Sequence, residues 1–183
     1  MTLRNSTRSW GAVSRTLHWL VVLLVIGQWG LAQYADGLPL LHKGPPLNLH
    51  KSLGMTILML AIIRLVWRLA NPVPSLAGLA STWERRLAGI THFLLYALLF
   101  AMPLSGWMMS SARNFPVSWF GQFQFPDLVS PDRALYQRMH DIHDALFGAL
   151  VIVALLHVAG ALKHHFIDRN EVLRRMLPFG GIK

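Results

Sequence analysis

At 183 residues the chain is bounded to one small domain, expected to span 1–183. Hydrophobic residues make up 54 % and charged residues 14 %, well under the roughly 25 % charge of soluble domains, so the composition points to lipid as the solvent. Cysteine is absent, which excludes disulfides, iron–sulfur clusters on thiolates and covalent attachment of a c-type haem.

The elements follow in chain order. A polar tail (residues 1–14) reads as short or interfacial. Four apolar stretches, near 18–35, 50–70, 88–110 and 143–165, are long enough, or nearly so, to cross a hydrocarbon layer of about 30 Å. The first is followed by Gln33, Tyr34 and Asp36 rather than a small-residue cleavage site, and reads as a retained span. The connection Asp36–Asn48 carries Gly37, Pro39, Gly44, Pro45 and Pro46 and is expected to be a loop. Asn71-Pro72 and Pro74 end the second span near Ala70. Thr82 with Glu84-Arg85-Arg86 marks the next helix start, and Pro103 is expected to kink the third span. The longest connection, Ser110–Asp141, places Trp119, Phe120, Phe123 and Phe125 where an interfacial short helix is expected. Alternating ten-residue strands are missing, which argues against a β-barrel. The expected fold is an all-α membrane protein with four transmembrane helices.

The formal charge is +9, and its placement is informative. Arg4, Arg8, Arg15, Arg64, Arg68, Arg85, Arg86, Lys163, Arg169, Arg174, Arg175 and Lys183 fall on one side of a four-span topology, against Glu84, Asp168 and Glu171. The other side balances Lys43, Lys51, Arg113, Arg133 and Arg138 with Asp36, Asp127, Asp132, Asp141 and Asp144. The positive-inside rule puts both termini in the cytoplasm. The basic excess is a topology signal, and no nucleic-acid partner is expected.

Histidine carries the chemistry. His143 and His157 bracket the apolar run Ala145–Leu156; about 1.5 Å per residue separates them by roughly 21 Å on one helix face. Ionisable rings at such depths need partners, because lipid offers no water. His50 opens the second span beside the depth of His143, and His18 begins the first span near the depth of His157. Two natural pairs result, His50 with His143 outside and His18 with His157 inside. Two haems, each taking one ligand from the fourth helix, would account for them. The depth of His92 also matches the inner pair, and depth alone leaves it open. His42 and His140 read as outer-loop residues, and His164 and His165 end the fourth span. A transmembrane ion path is disfavoured because every acidic residue lies in a loop or at a span end.

Several blocks resemble the bacterial cytochrome b561 family, in the wider group that includes the cytochrome b subunits of nickel–iron hydrogenases. They are R-T-L-H-W (Arg15–Trp19), H-K-S-L-G (His50–Gly54) followed by I-I-R-L-V-W-R-L, and G-I-T-H-F-L-L-Y-A-L-L-F-A-M-P-L-S-G (Gly89–Gly106). I-H-D (Ile142–Asp144), L-H-V-A-G-A-L-K-H-H-F (Leu156–Phe166) and L-R-R-M-L-P complete the set. The resemblance runs from Arg15 to about Pro178. It implies two b haems in a bacterial inner (cytoplasmic) membrane, with His50 and His143 as axial ligands of the outer haem and His18 and His157 of the inner. The choice of His18 over His92 comes from the resemblance.

Small members of the family resemble superoxide oxidases, which implies oxidation of periplasmic superoxide with ubiquinone as acceptor. On that reading Lys51, Arg113 and Arg138 are the basic candidates on the superoxide side, acting as a local patch because the outer connections carry no net charge. His164, with Thr16 as a second, is the candidate hydrogen-bond donor to quinone. The alternatives are a haem-b subunit relaying electrons from a separate periplasmic dehydrogenase to quinone, and a haem-free membrane scaffold or transporter.

Overall fold

A computed structural model describes residues 2–75, 78 and 80–178. Four long helices dominate it: α1 (Ala12–Asp36), α2 (Gly44–Leu69), α3 (Thr82–Ala112) and α4 (Arg133–Phe166). They contain 25, 26, 31 and 34 residues, about 38 to 51 Å at 1.5 Å per residue. Each is long and apolar enough to cross a membrane. Their surface agrees with a lipid environment, since Leu23, Ile26, Phe93, Leu155 and Leu156 are all more than half exposed. Polar groups such as Ser52, Thr91, Ser105 and Ser111 are buried instead, the arrangement in which small polar residues join helices within lipid.

The helix boundaries differ from the sequence expectation in instructive ways. Gly44-Pro45-Pro46 is the first turn of α2 and not loop; proline is well placed there because its missing N–H has no intrahelical acceptor to lose. A short 3-10 turn, Leu40–His42, precedes it. His42 therefore lies in a turn of helix, and His140 within α4, which starts two to three turns before the apolar run. Ser81 precedes α3, and its N–H and hydroxyl both donate to Glu84 Oε2, at 2.7 and 2.6 Å, the carboxylate half of a capping box, one residue earlier than expected. Helix α3 continues through Pro103.

By its internal contacts the chain divides into two compact units, each containing a segment of every long helix. The first comprises residues 1–20, 62–97 and 150–183; the second comprises 21–61 and 98–149. Lys183, one of the charges behind the expected orientation, lies outside the described residues.

In the first unit the amino-terminal tail is folded in. Asn5 is buried, accepting the Gly11 N–H at 3.0 Å and the Ser14 hydroxyl at 2.7 Å while donating to the Pro72 carbonyl at 3.0 Å. A Cβ at Gly11 would lie 2.4 Å from the Leu3 carbonyl oxygen, so only glycine admits this crossing. The carboxy-terminal segment returns to α1, where Trp19 Nε1 donates to the Met176 carbonyl at 2.8 Å.

The second unit holds two apolar clusters. Val21, Ile57, Ala61 and Leu99 form one, and Met55, Leu58 and Val117 the other, the latter with Trp107, Trp119 and Phe125 packed against it. The expected short interfacial helix between α3 and α4 is instead a two-residue antiparallel ladder, β1 (Ser118–Trp119) and β2 (Phe123–Gln124). Phe120 and Gly121 make its turn at φ 48° and 73°, closed by Gln122 N–H to the Trp119 carbonyl at 3.0 Å. The ladder is pinned to α2, and Trp119 and Phe125 pack against the Met55–Leu58–Val117 cluster. Trp119 Nε1 donates to Thr56 Oγ1 at 3.0 Å, and Phe120 N–H donates to Ser52 Oγ at 3.0 Å.

Candidate functional site

Each unit brings histidines together. In the second, His50 from α2 faces His143 from α4, ring centroids 6.4 Å apart. In the first, His18 from α1 faces His157 from α4 at 6.3 Å. Two imidazoles bound to one iron from opposite faces, each through a nitrogen about 2.0 Å from the metal and about 1.1 Å from its ring centre, have centroids about 6.2 Å apart. Both separations fit that requirement. His92 from α3 approaches His157 at 5.2 Å, an edge contact too close for an iron between them.

In the second-unit pair one ring has a hydroxyl partner. Ser105 Oγ lies 2.8 Å from the Met102 carbonyl, to which it can donate, and 2.9 Å from His143 Nδ1, where it can accept the ring's proton in the Nδ1–H tautomer. The lone pair of His143 then resides on Nε2, the state a metal needs; such partners fix the tautomer and orientation of a ligating imidazole. Gly106 makes room, since a Cβ there would lie 3.2 Å from His143 Cε1. Across from it, His50 Nδ1 is buried with no hydrogen-bond partner. His18 Nδ1 in the first unit is in the same position. A neutral imidazole donor set at these separations suits iron porphyrin. The residues fit a b-type haem at both places.

The first-unit pair opens onto a cavity of about 40 Å³, whose wall includes His18, His92, His157, Arg64, Arg68 and Tyr96. Arg64 and Arg68 both stack over the Tyr96 ring, at 5.5 and 5.9 Å, and Arg68 also over Trp10 at 5.9 Å. In the sequence these arginines read only as orientation charges. Their four-residue spacing inside an apolar run was the available signal that they share a helix face. Ser105 and Gly106 gave no comparable signal.

The proposed quinone donors lie away from that wall. His164 Nδ1 meets Asp168 Oδ2 at 2.7 Å, and Thr16 is exposed on α1. Lys163 joins Glu84 to Asp168, and its ammonium beside Asp168 holds that carboxyl below the usual carboxylate range. Glu84, His164 and Asp168 come close enough to share a cation, but Lys163 already supplies the positive charge. Of the basic candidates, Lys51 and Arg113 converge on one ring, their charged ends 5.4 and 5.2 Å from the Phe115 centroid. Arg138 is not with them; its Nε reaches the Ala134 carbonyl at 3.5 Å.

Four membrane-length helices, paired half-buried imidazoles and no thiolates define a membrane cytochrome b. The prokaryotic cytochrome b561 family matches residues 9–179, and the chain belongs to that family. It is 36 % identical over 183 residues to cytochrome b561 homolog 2 of Escherichia coli (strain K12), covering 97 % of this chain and 95 % of that protein. The probable superoxide oxidase CybB of Yersinia pestis is 29 % identical over 162 residues, covering 88 % and 92 %. Cytochrome b561 homolog 1 of E. coli (strain K12) is 27 % identical over 169 residues, covering 88 % and 93 %. The family is one of haem-dependent membrane electron transfer, which sets aside the haem-free scaffold or transporter.

Proposed function

We propose that this chain oxidises superoxide and reduces ubiquinone, using two b haems, one held by His50 and His143 and one by His18 and His157. The pair of ring separations, 6.4 and 6.3 Å, carries the reading. They match the separation of two imidazoles that would hold one iron between them, whereas the 5.2 Å of His92–His157 falls short. Residues 1–183 are read as a single functional domain in a bacterial inner membrane, and the one-sided basic excess supports cytoplasmic termini.

When bound, a bis-imidazole b haem supplies one-electron transfer and leaves no iron position open to oxygen. The chain's own residues supply the rest. Lys51 follows His50 directly in sequence, and with Arg113 it makes a local positive patch over Phe115. Such a patch raises the encounter rate of a small anion without requiring a charged surface throughout. Two superoxide ions release two electrons and leave as oxygen, and one ubiquinone takes those electrons with two protons. Asp168 accepts the Nδ1 proton of His164, so Nε2 of His164 is the nitrogen offered to a quinone oxygen, with the Thr16 hydroxyl as the second donor. The name of the Yersinia relative supports superoxide as the donor.

The test is rapid mixing of the purified full chain with superoxide, with and without a soluble ubiquinone. The reading expects superoxide loss that requires quinone and yields quinol with one oxygen per superoxide. Haem that stays oxidised under superoxide overturns the donor assignment and favours a separate periplasmic dehydrogenase as the source of electrons.

A further inference from the structure

In the first unit two guanidinium groups lack an anion. Arg64 and Arg68, one helical turn apart on α2, project to the same side and stack on the same Tyr96 ring. Among the described residues neither has a carboxylate within 4.0 Å. The unit's sequence contains three acidic side chains, Glu84, Asp168 and Glu171. Lys163 engages Glu84 and Asp168, His164 also engages Asp168, and Arg175 engages Glu171. Among the described residues, the first unit therefore has no unengaged acidic side chain to offer them.

Like charges at this spacing repel, and arginines in membrane helices pair with an opposite charge or reach toward water. Simple escape to water is a poor account of this pair. Both side chains line the cavity that His18 and His157 also line, and Arg68 is held between Trp10 and Tyr96. An anion entering that cavity would meet two guanidiniums and three imidazoles together.

We propose that Arg64 and Arg68 bind the two carboxylates of the porphyrin that His18 and His157 hold, which rests on the haem assignment above. A b haem carries two propionates, matching the two guanidiniums in number and charge. Arginine is suited to the task because its fork meets a carboxylate through two parallel N–H bonds. Quinone is neutral and would leave the charges unmatched. A lipid phosphate is the other anion of suitable chemistry, and the experiment separates the two.

Haem-depleted full-length protein in phosphate-free detergent is titrated with haem b and with its dimethyl ester, following the absorbance and the affinity at each site. The expected result is at least tenfold weaker binding of the ester at one site, which His157→Ala abolishes. Arg64→Gln and Arg68→Gln should each weaken haem b binding at that site and cut the preference for haem over ester several-fold; Arg68→Lys should restore part of it. Equal affinity of the native chain for haem and ester at both sites overturns the proposal, with no variant needed. An unchanged preference in both Gln variants also overturns it. So does a preference that appears only with anionic phospholipid added, because the guanidiniums then hold a lipid phosphate. Failure of the underlying haem assignment looks different: His157→Ala then keeps both haems.

Discussion

Ser105 Oγ stands 2.9 Å from His143 Nδ1 and 2.8 Å from the Met102 carbonyl, to which it can donate a hydrogen bond. This two-bond chain fixes a ring that sequence identifies only by depth, and it is made from one turn of α3 beside Pro103. Ser105→Ala should leave the fold and both haems in place while weakening haem at the His50/His143 site by about tenfold, the lower end for loss of a partner that orients a ligand. Low-spin resonance signals of the two haems, recorded separately, check it: one should shift and the other stay.

Gly106 supports the same ring from the adjacent position. With 3.2 Å between a built Cβ and His143 Cε1, Gly106→Ala should move the ring by a few tenths of an ångström and Gly106→Val should expel haem from that site. Haem per protein, measured as the pyridine complex, should fall toward one for Gly106→Val only.

The histidines separate by role. His157→Ala and His143→Ala should each remove one haem, and a different one, whereas His92→Ala should retain both, since its 5.2 Å approach to His157 leaves no room for iron between the rings. Redox titration of each variant identifies which haem is missing. Loss of a haem from His92→Ala with both retained in a His18 variant would reassign the ligand.

Lys51 and Arg113 meet over Phe115. Lys51→Gln with Arg113→Gln should lower the bimolecular rate with superoxide by about three- to tenfold and flatten its dependence on ionic strength, leaving haem content unchanged. Arg138→Gln, whose side chain turns back on its own helix, should do neither. Stopped-flow rates at two salt concentrations distinguish them.

The Lys163–Asp168 pair gives a pH dependence of known sign. The Asp168 carboxyl is held below its ordinary range chiefly by the hydrogen bond from Lys163. Its contribution to the carboxy-terminal turn is fully present above the ordinary aspartate range and is lost as pH falls through the depressed value. Proteolysis near Arg169 should therefore be constant from neutral pH down to the ordinary carboxylate range and rise below it. In Asp168→Asn the same site should be cleaved faster at neutral pH and show no such rise.

Much of this architecture was legible because lipid demands long apolar runs, and Leu23–Ile26 or Leu155–Leu156 can do nothing else as well. Boundaries were less so. Gly44-Pro45-Pro46 has the composition of a loop, yet proline in a first helical turn sacrifices no bond. The Ser118–Gln124 hairpin escaped notice because two-residue strands are too short to show alternation, and Phe120 at positive φ is held by hydroxyls on α2 that sequence order does not place beside it. Residue counting along α4 set the depths of His143 and His157. The choice of His18 over His92 came from the resemblance, because depth along a single helix cannot separate them; the 6.3 and 5.2 Å separations from His157 favour the same choice. Arg64 and Arg68 were visible as charges, but that every acidic group around them is already engaged is a tertiary fact.

The most direct measurement is the iron-porphyrin content of the purified chain together with the spin state of each haem. Two haems per chain, both six-coordinate and low-spin with bis-imidazole resonance, with one lost in each of His143→Ala and His157→Ala, is the predicted result. A single haem, or a haem with an open or non-imidazole axial position, would contradict the account.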